Sequence, residues 1–348
     1  MQKEFKDNIN VISLLRFPLI IGVVFIHSIE LPSGNYPIYD FFFNIFKNCL
    51  CGVCVPLFFF FSGYLFFANV ETLSLKIIKD KYGRRIKSLL IPYVFWNLFY
   101  IAIIAFGQLF APSLFSGAFK SVVDFSLRDW LCLFYCALGT DKPVAYQLWF
   151  LRDLMCVTLI APLIYWLCKR LSFWWLLFPF ALNVIGVPSV SGFSFSAISF
   201  FSAGSYFGIN KQSFIFSSLQ NKMLAIVLYL LLVIIDVGYS LPYLKRLEII
   251  VGCVAVLQIA SMECKRKGDN SLPFWDALSR SSFFIYCYHG IFATFLGKIA
   301  TEFIHDDFYA VSCYFLVVFV IVVFGLFAYT ILNKLFTGFT ALVTGGRN

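Results

Sequence analysis

Two polar side chains, Arg16 and His27, interrupt the first apolar stretch of the chain, LLRFPLIIGVVFIHSIE at residues 14–30. A guanidinium is a permanent cation that suits phosphate or carboxylate groups. An imidazole titrates near neutrality and can take a proton from an attacking hydroxyl. The two residues are eleven positions apart. On a helix eleven steps of about 100° come to roughly 1100°, about 20° past three full turns, so both side chains leave the same face. They are separated along the axis by roughly 16 Å. Pro18 and Gly22 lie between them, where they can bend the helix or let a ligand approach its backbone. The plainer explanation has Arg16 snorkelling to the inner headgroups and His27 making one interhelical hydrogen bond. Arg16 is about 10 Å into the span, however, which is far for snorkelling.

The element that carries this pair must be a membrane helix. Of 348 residues, 61% are hydrophobic, 13% are charged and mean hydropathy is +0.85, a composition outside that of soluble globular proteins. No stretch leaves room for a sizeable water-soluble domain, so residues 1–348 read as one polytopic, all-α domain. Taking about 20 apolar residues per span, ten helices are expected at roughly 9–29, 50–68, 88–110, 146–168, 173–188, 194–209, 222–240, 247–263, 278–300 and 308–336. Pro179, Pro188 and Gly192 break the fifth and sixth. The first run is a full span without a small-residue cleavage site and reads as an uncleaved helix.

With the N-terminus inside, 17 of the 27 Lys and Arg fall in cytoplasmic segments, Arg347 among them, and 6 fall outside. This agrees with the positive-inside rule for ten spans with both termini cytoplasmic. The same pattern accounts for the net charge of +9 without a nucleic-acid partner. The eleven cysteines mostly occupy apolar stretches and imply no disulfide framework. Cys49, Cys51 and Cys54 have no flanking histidine, so no metal is called for. Residues 111–145 form the longest outer connection and include DWLCLFYCALG, apolar but too short to span.

Further motifs follow in order. PLFFFFSGYLFF (56–67) centres on Ser62, Gly63 and Tyr64 and by itself reads as an aromatic packing helix. KYGRRIKSLLIPYVFWN (81–97) opens with a basic cluster containing Arg84, Arg85 and Lys87. Part of that cluster is a topology signal, but it is also a suitable seat for the phosphates of a nucleotide-type cofactor. YQLWFLRDL (146–154) places Trp149, Arg152 and Asp153 near an interface, and SSFFIYCYHGIF (281–292) carries Tyr286 and His289.

An arginine followed by ten residues and a histidine in the first transmembrane helix resembles the integral membrane acyltransferase-3 family, and the four later motifs resemble that family's blocks in the same order. The resemblance runs over residues 10–300 and is to a stand-alone member, without a following esterase-like domain. Lys87 stands where some members carry another Arg. The resemblance implies an O-acyltransferase that moves an acyl group, most often acetyl, from cytoplasmic acyl-CoA to a hydroxyl of an envelope or exported polysaccharide or glycolipid. Its setting would be the bacterial inner membrane.

On that basis His27 is the expected general base. Arg16, Arg84, Arg85 and Lys87 are expected to hold CoA phosphates, across a distance of the order of a pantetheine arm. Ser62 or Tyr64 would stabilise the oxyanion or line the donor site, and Glu30, three residues after His27, would orient the imidazole. Trp149, Trp130, Arg152, Tyr286 and His289 would line the site for a glycan or lipid-linked glycan. A transporter or flippase of a lipid-linked glycan also needs many spans and mid-membrane polar groups, but the paired broken helices of internal repeats are not evident. A non-catalytic scaffold would bear buried Arg16, His27 and His289 without purpose.

Overall fold

A computed structural model describes residues 2–112, 120–239, 241–267 and 272–346. Residues 113–119 of the outer connection and Arg347 lie outside the described residues. Among the described residues the chain is helical, with no strand. The helices are α1 (Gln2–Ile26), α2 (Pro37–Phe43), α3 (Cys54–Phe67), α4 (Leu75–Arg85), α5 (Ile91–Phe110), α6 (Leu127–Cys132), α7 (Trp149–Leu159), α8 (Ala161–Leu171), α9 (Trp174–Ile185), α10 (Phe195–Asn210), α11 (Leu219–Tyr239), α12 (Pro242–Lys267), α13 (Leu272–Thr301), α14 (Asp307–Leu335) and α15 (Thr337–Thr344). Seven helical segments are long and apolar enough to cross a membrane, or eight if α7 and α8, bent by 60°, form one broken span. Pro162 causes that bend, because it has no amide to continue the α7 ladder.

The remaining two of the ten expected segments are α9 and α10. Their 12 and 16 residues reach roughly 18 and 24 Å, short of a hydrocarbon core of about 30 Å. What α10 lacks in length it recovers in packing against α3. A Cβ on Gly63 would sit 2.1 Å from the Phe201 carbonyl oxygen, and one on Gly204 would sit 1.9 Å from that of Phe60. The two backbones therefore touch through glycines, as in small-residue membrane interfaces. With α10 on one side and α7 on another, α3 is buried around most of its circumference. The all-round aromatic sequence of PLFFFFSGYLFF follows from that central position.

Two departures from regular helix shape the site. α1 ends at Ile26, three residues before the expected boundary, and His27 begins a turn in which its amide donates to the Val24 carbonyl at 3.2 Å. The chain then runs irregularly to α2, held by a hydrogen bond from the Tyr39 hydroxyl to the Ile29 carbonyl (2.7 Å). The carboxylate of Asp307 accepts from the Ile38 and Tyr39 amides at 2.8 and 3.0 Å, satisfying the free N-terminal donors of α2. The second departure is a π-helical turn, Ile86–Leu90, that joins the basic helix α4 to α5. Such turns re-aim side chains and recur at functional sites.

Candidate functional site

α1 packs along α13, both running in the same direction. Arg16 lies level with Ser279–Phe283 of α13, and His27 lies level with Ala293–Gly297. Both expected polar residues thus face one partner helix, as the spacing implies, but they open into different cavities.

The inner cavity, about 500 Å³, is lined by Arg16, Arg85 and Arg280, the hydroxyls of Ser62, Ser88, Ser279, Ser282 and Tyr286, and apolar side chains that include Phe58, Phe150 and Leu154. The carboxylate of Asp276 exerts its field on Arg16. Arg85 donates to the Ser62 carbonyl at 3.5 Å and stands over the Phe66 ring at 5.7 Å. Arg85, Leu65, Ser88 and Gly345 also border a neighbouring mouth of about 500 Å³, into which Lys81, Arg84 and Lys87 project. Lys81 is anchored by the Phe66 carbonyl and stacks over that ring at 4.9 Å. The expected basic residues are therefore brought together, with Arg280 and Lys81 added. Arg280 falls within the expected span 278–300, but no sequence spacing places it beside Arg16 and Arg85.

The outer cavity, about 610 Å³, holds His27, Glu30, Lys47, Lys142, Tyr146, Thr294, Lys298 and Thr301 among its lining residues. Between it and the inner cavity is a polar layer. Tyr286 closes the inner side and donates to the Gln147 carbonyl at 2.8 Å. Gln147 Nε2 donates to the Cys287 carbonyl at 2.8 Å, while its Oε1 is buried without a hydrogen-bond partner. His289 is fully buried, with its ring centroid 5.3 Å from that of His27, which is in turn 5.3 Å from Tyr146. His289 Nδ1 is 2.7 Å from the Tyr286 carbonyl. A carbonyl can only accept, so Nδ1 carries the hydrogen and Nε2 is left as an unpartnered lone pair in the core. Buried acceptors of this kind are uncommon and call for a role. Here two of them, Gln147 Oε1 and His289 Nε2, stand in the layer that separates the cavities. Gly290 makes room for this arrangement, since a Cβ there would lie 2.3 Å from Gln147 Oε1.

Several expected roles need correction. Ser62 lines the inner cavity with Arg16 and Arg85, the side of its donor-site alternative. Tyr64 lies in a third cavity with Glu4 and Lys211, its hydroxyl accepting from Asn8 Nδ2 at 3.0 Å. Neither side chain lines the His27 cavity, so neither is placed to serve an oxyanion there. Glu30 does not orient His27: α1 has ended, the i, i+3 geometry is lost, and its carboxylate pairs with Lys47 at 2.6 Å. Arg152 is not available to an acceptor. Its Nε and Nη2 bind Asp153 Oδ1 at 3.0 and 2.9 Å, and its Nη1 donates to the Tyr135 and Asp141 carbonyls at 2.7 and 2.5 Å. The buried guanidinium thereby ties the outer connection onto α7. Trp149 packs half-buried against the core, and Trp130 packs edge-on to Phe125; neither lines the outer cavity. Tyr286 belongs to the inner wall, not to the acceptor side.

Outside this axis, Cys49, Asp236 and Glu248 form a buried group whose ligand atoms lie within 4.8 Å of one another. The ammonium of Lys245 already stands 3.3 Å from Asp236 and 3.5 Å from Glu248.

A family model described as an acyltransferase domain matches residues 9–331. The chain belongs to the acyltransferase-3 family. This acyltransferase-3 protein is 27% identical over 295 residues to the succinoglycan biosynthesis protein ExoH of Rhizobium meliloti, a match that covers 80% of this chain and 76% of the relative. No solved structure matches it. Family membership and the long apolar helices together make the chain a multi-pass integral membrane acyltransferase that uses an acyl donor.

Proposed function

We propose that the protein transfers an acyl group, in the first instance acetyl, from cytoplasmic acyl-CoA to a hydroxyl of an exported or envelope polysaccharide, working in the inner membrane of a bacterium. The carrying observation is the disposition of two cavities along one face of α1: guanidinium-rich at one end, histidine-containing at the other, in a member of an acyltransferase family. The naming of its relative for succinoglycan biosynthesis supports a polysaccharide acceptor.

Arg16, Arg85 and Arg280, with Lys81, Arg84 and Lys87 at the mouth, suit the phosphates of CoA, because clustered cations with charge-assisted donors are what a nucleotide diphosphate requires. Bound there, acyl-CoA supplies the acyl group as a thioester, and the α1 rise of roughly 16 Å between Arg16 and His27 is of the order of its pantetheine arm. The Tyr286–Gln147–His289 layer must part to let that arm through.

On the far side His27, as neutral imidazole, takes the proton of the acceptor hydroxyl while its oxygen attacks the thioester carbonyl. The C–O bond forms, the C–S bond breaks and the departing CoA sulfur takes up a proton. The basic mouth faces the cytoplasm in this reading, which puts the N-terminus inside. Mass spectrometry of surface polysaccharide from a strain lacking the gene tests the proposal. Loss of one ester substituent, restored by complementation, supports it; an unchanged glycan refutes it.

A further inference from the structure

We infer that His289 is a positioning residue for His27: its buried lone pair draws the N–H of the His27 ring toward itself and leaves the other His27 nitrogen bare for the acceptor hydroxyl. The inference rests on reading His27 as the base on the acceptor side.

A neutral imidazole carries one N–H and one lone pair, and its surroundings decide which nitrogen has which. At His289 the backbone decides. Nδ1 is 2.7 Å from the Tyr286 carbonyl oxygen, so the hydrogen is there and the lone pair is on Nε2, buried and without a hydrogen-bond partner. Such an acceptor is costly unless a donor can meet it. Of the rings around it, Tyr286 gives its hydroxyl hydrogen to the Gln147 carbonyl at 2.8 Å, and Tyr146 gives its own to the Gly290 carbonyl at 3.4 Å. The mobile hydrogen that remains in this cluster is that of His27, whose ring centroid is 5.3 Å from that of His289 at a tilt of 38°.

Two tautomers of His27 are open. With its bare nitrogen toward His289, two lone pairs face each other in a buried layer and repel. With its N–H there, opposite partial charges face each other, and rings at this separation can close edge to edge on an N–H···N bond of about 3 Å. His27 has room to turn, because it stands one residue past the end of α1 and lines the outer cavity. The favoured tautomer leaves the lone pair on the opposite edge of the ring, where a base needs it. Once His27 has taken the hydroxyl proton it carries N–H on both edges, and the Nε2 lone pair lies against the new charge. His289 thus orients the base as the third member of a catalytic triad does, but without bringing a charge of its own, and it touches neither donor nor acceptor.

The test uses the full-length protein in lipid nanodiscs, labelled with the heavy nitrogen isotope in histidine and read by nuclear magnetic resonance. Protonated and bare ring nitrogens resonate far apart, and a ring that exchanges between tautomers gives averaged signals. The chain has three histidines, and His27→Gln and His305→Gln spectra assign them. Wild type should show His289 with its hydrogen on Nδ1 and His27 as one fixed tautomer. In His289→Asn, Nδ2 replaces Nδ1 against the Tyr286 carbonyl but no acceptor reaches the Nε2 position. There the His27 signals should average and kcat should fall about tenfold to a hundredfold, as for other orienting partners of histidine, with the KM for acetyl-CoA within a factor of about two. His289→Gln, whose Oε1 reaches the Nε2 position, should keep the fixed tautomer and most of kcat. Averaged His27 signals in wild type, a His289 hydrogen on Nε2, His27 signals unmoved in His289→Asn, or equal losses in the two variants would each overturn the inference. The wild-type spectrum needs no variant to fold. Retained transfer in His27→Ala would instead remove the base assignment and leave the tautomer result standing.

Discussion

Replacing Arg152 with methionine should unfold the protein more readily without a selective loss of acceptor affinity. Arg152 and Asp153 are 5% and 2% exposed, and the guanidinium makes two bonds to the carboxylate and two to backbone carbonyls of the outer connection. Methionine fills similar volume but leaves the Asp153 carboxylate in the interior with only neutral donors from Ser194 and the Gly192 amide. Removing one partner of a buried pair costs about 3–5 kcal/mol, which is a hundredfold to a few thousandfold in the folded-to-unfolded ratio. Equilibrium unfolding in mixed SDS and dodecylmaltoside micelles reads that loss directly. The double variant Arg152→Met/Asp153→Leu should recover most of it, since a well-packed apolar pair can replace a buried ion pair. Arg152→Lys should recover little, because an ammonium cannot reach Asp153 and two carbonyls at once. Wild-type stability in Arg152→Met, together with a raised KM for the acceptor alone, would refute the structural role and return Arg152 to the acceptor site.

Gly204→Leu should prevent α10 from seating on α3, because even a Cβ would lie 1.9 Å from the Phe60 carbonyl; size-exclusion chromatography of the solubilised variant should show aggregate in place of a monodisperse peak. Arg85→Ala and Arg280→Ala should each raise the KM for acyl-CoA about tenfold or more, with a smaller change in kcat, if they bind donor phosphates; steady-state titration of the donor checks this. Gly290→Ala should displace the Gln147 side chain, whose Oε1 lies 2.3 Å from the new Cβ. That variant should remain folded by chromatography while its transfer rate falls at saturating donor.

Much of the fold could be read from the chain because membrane helices must satisfy their backbone internally and so declare themselves by apolar length. The ten expected segments correspond to helices throughout. The exceptions in length are α9 and α10, both too short to span: α10 is accommodated by its glycine-mediated seat on α3 and α9 by packing on α10, tertiary facts that no local sequence pattern declares. Arg16 and His27 were legible because charge inside hydrocarbon is costly and conspicuous. The roles of Arg280, a charge within the expected span 278–300, and of Gln147 were not, because nothing in the sequence says which cavity or neighbour either side chain meets until the helices are brought together. Arg152 misled for the opposite reason: a conspicuous charge near an interface turned out to hold a connection in place. Glu30 and Tyr64 failed on geometry, one because α1 stops at Ile26 and the other because its hydroxyl turns toward Asn8.

In the proposed reaction His27 accepts the proton of the attacking hydroxyl. The most direct measurement is transfer of radiolabelled acetyl from acetyl-CoA to polysaccharide by purified His27→Ala, alongside acetyl-CoA binding to the same preparation. Transfer should fall by about a hundredfold to ten-thousandfold, the range for loss of a positioned base, with donor affinity within a factor of about two of wild type because the arginine cavity is untouched. Transfer at the wild-type rate by a variant that binds acetyl-CoA normally would contradict the assignment of His27 as the base.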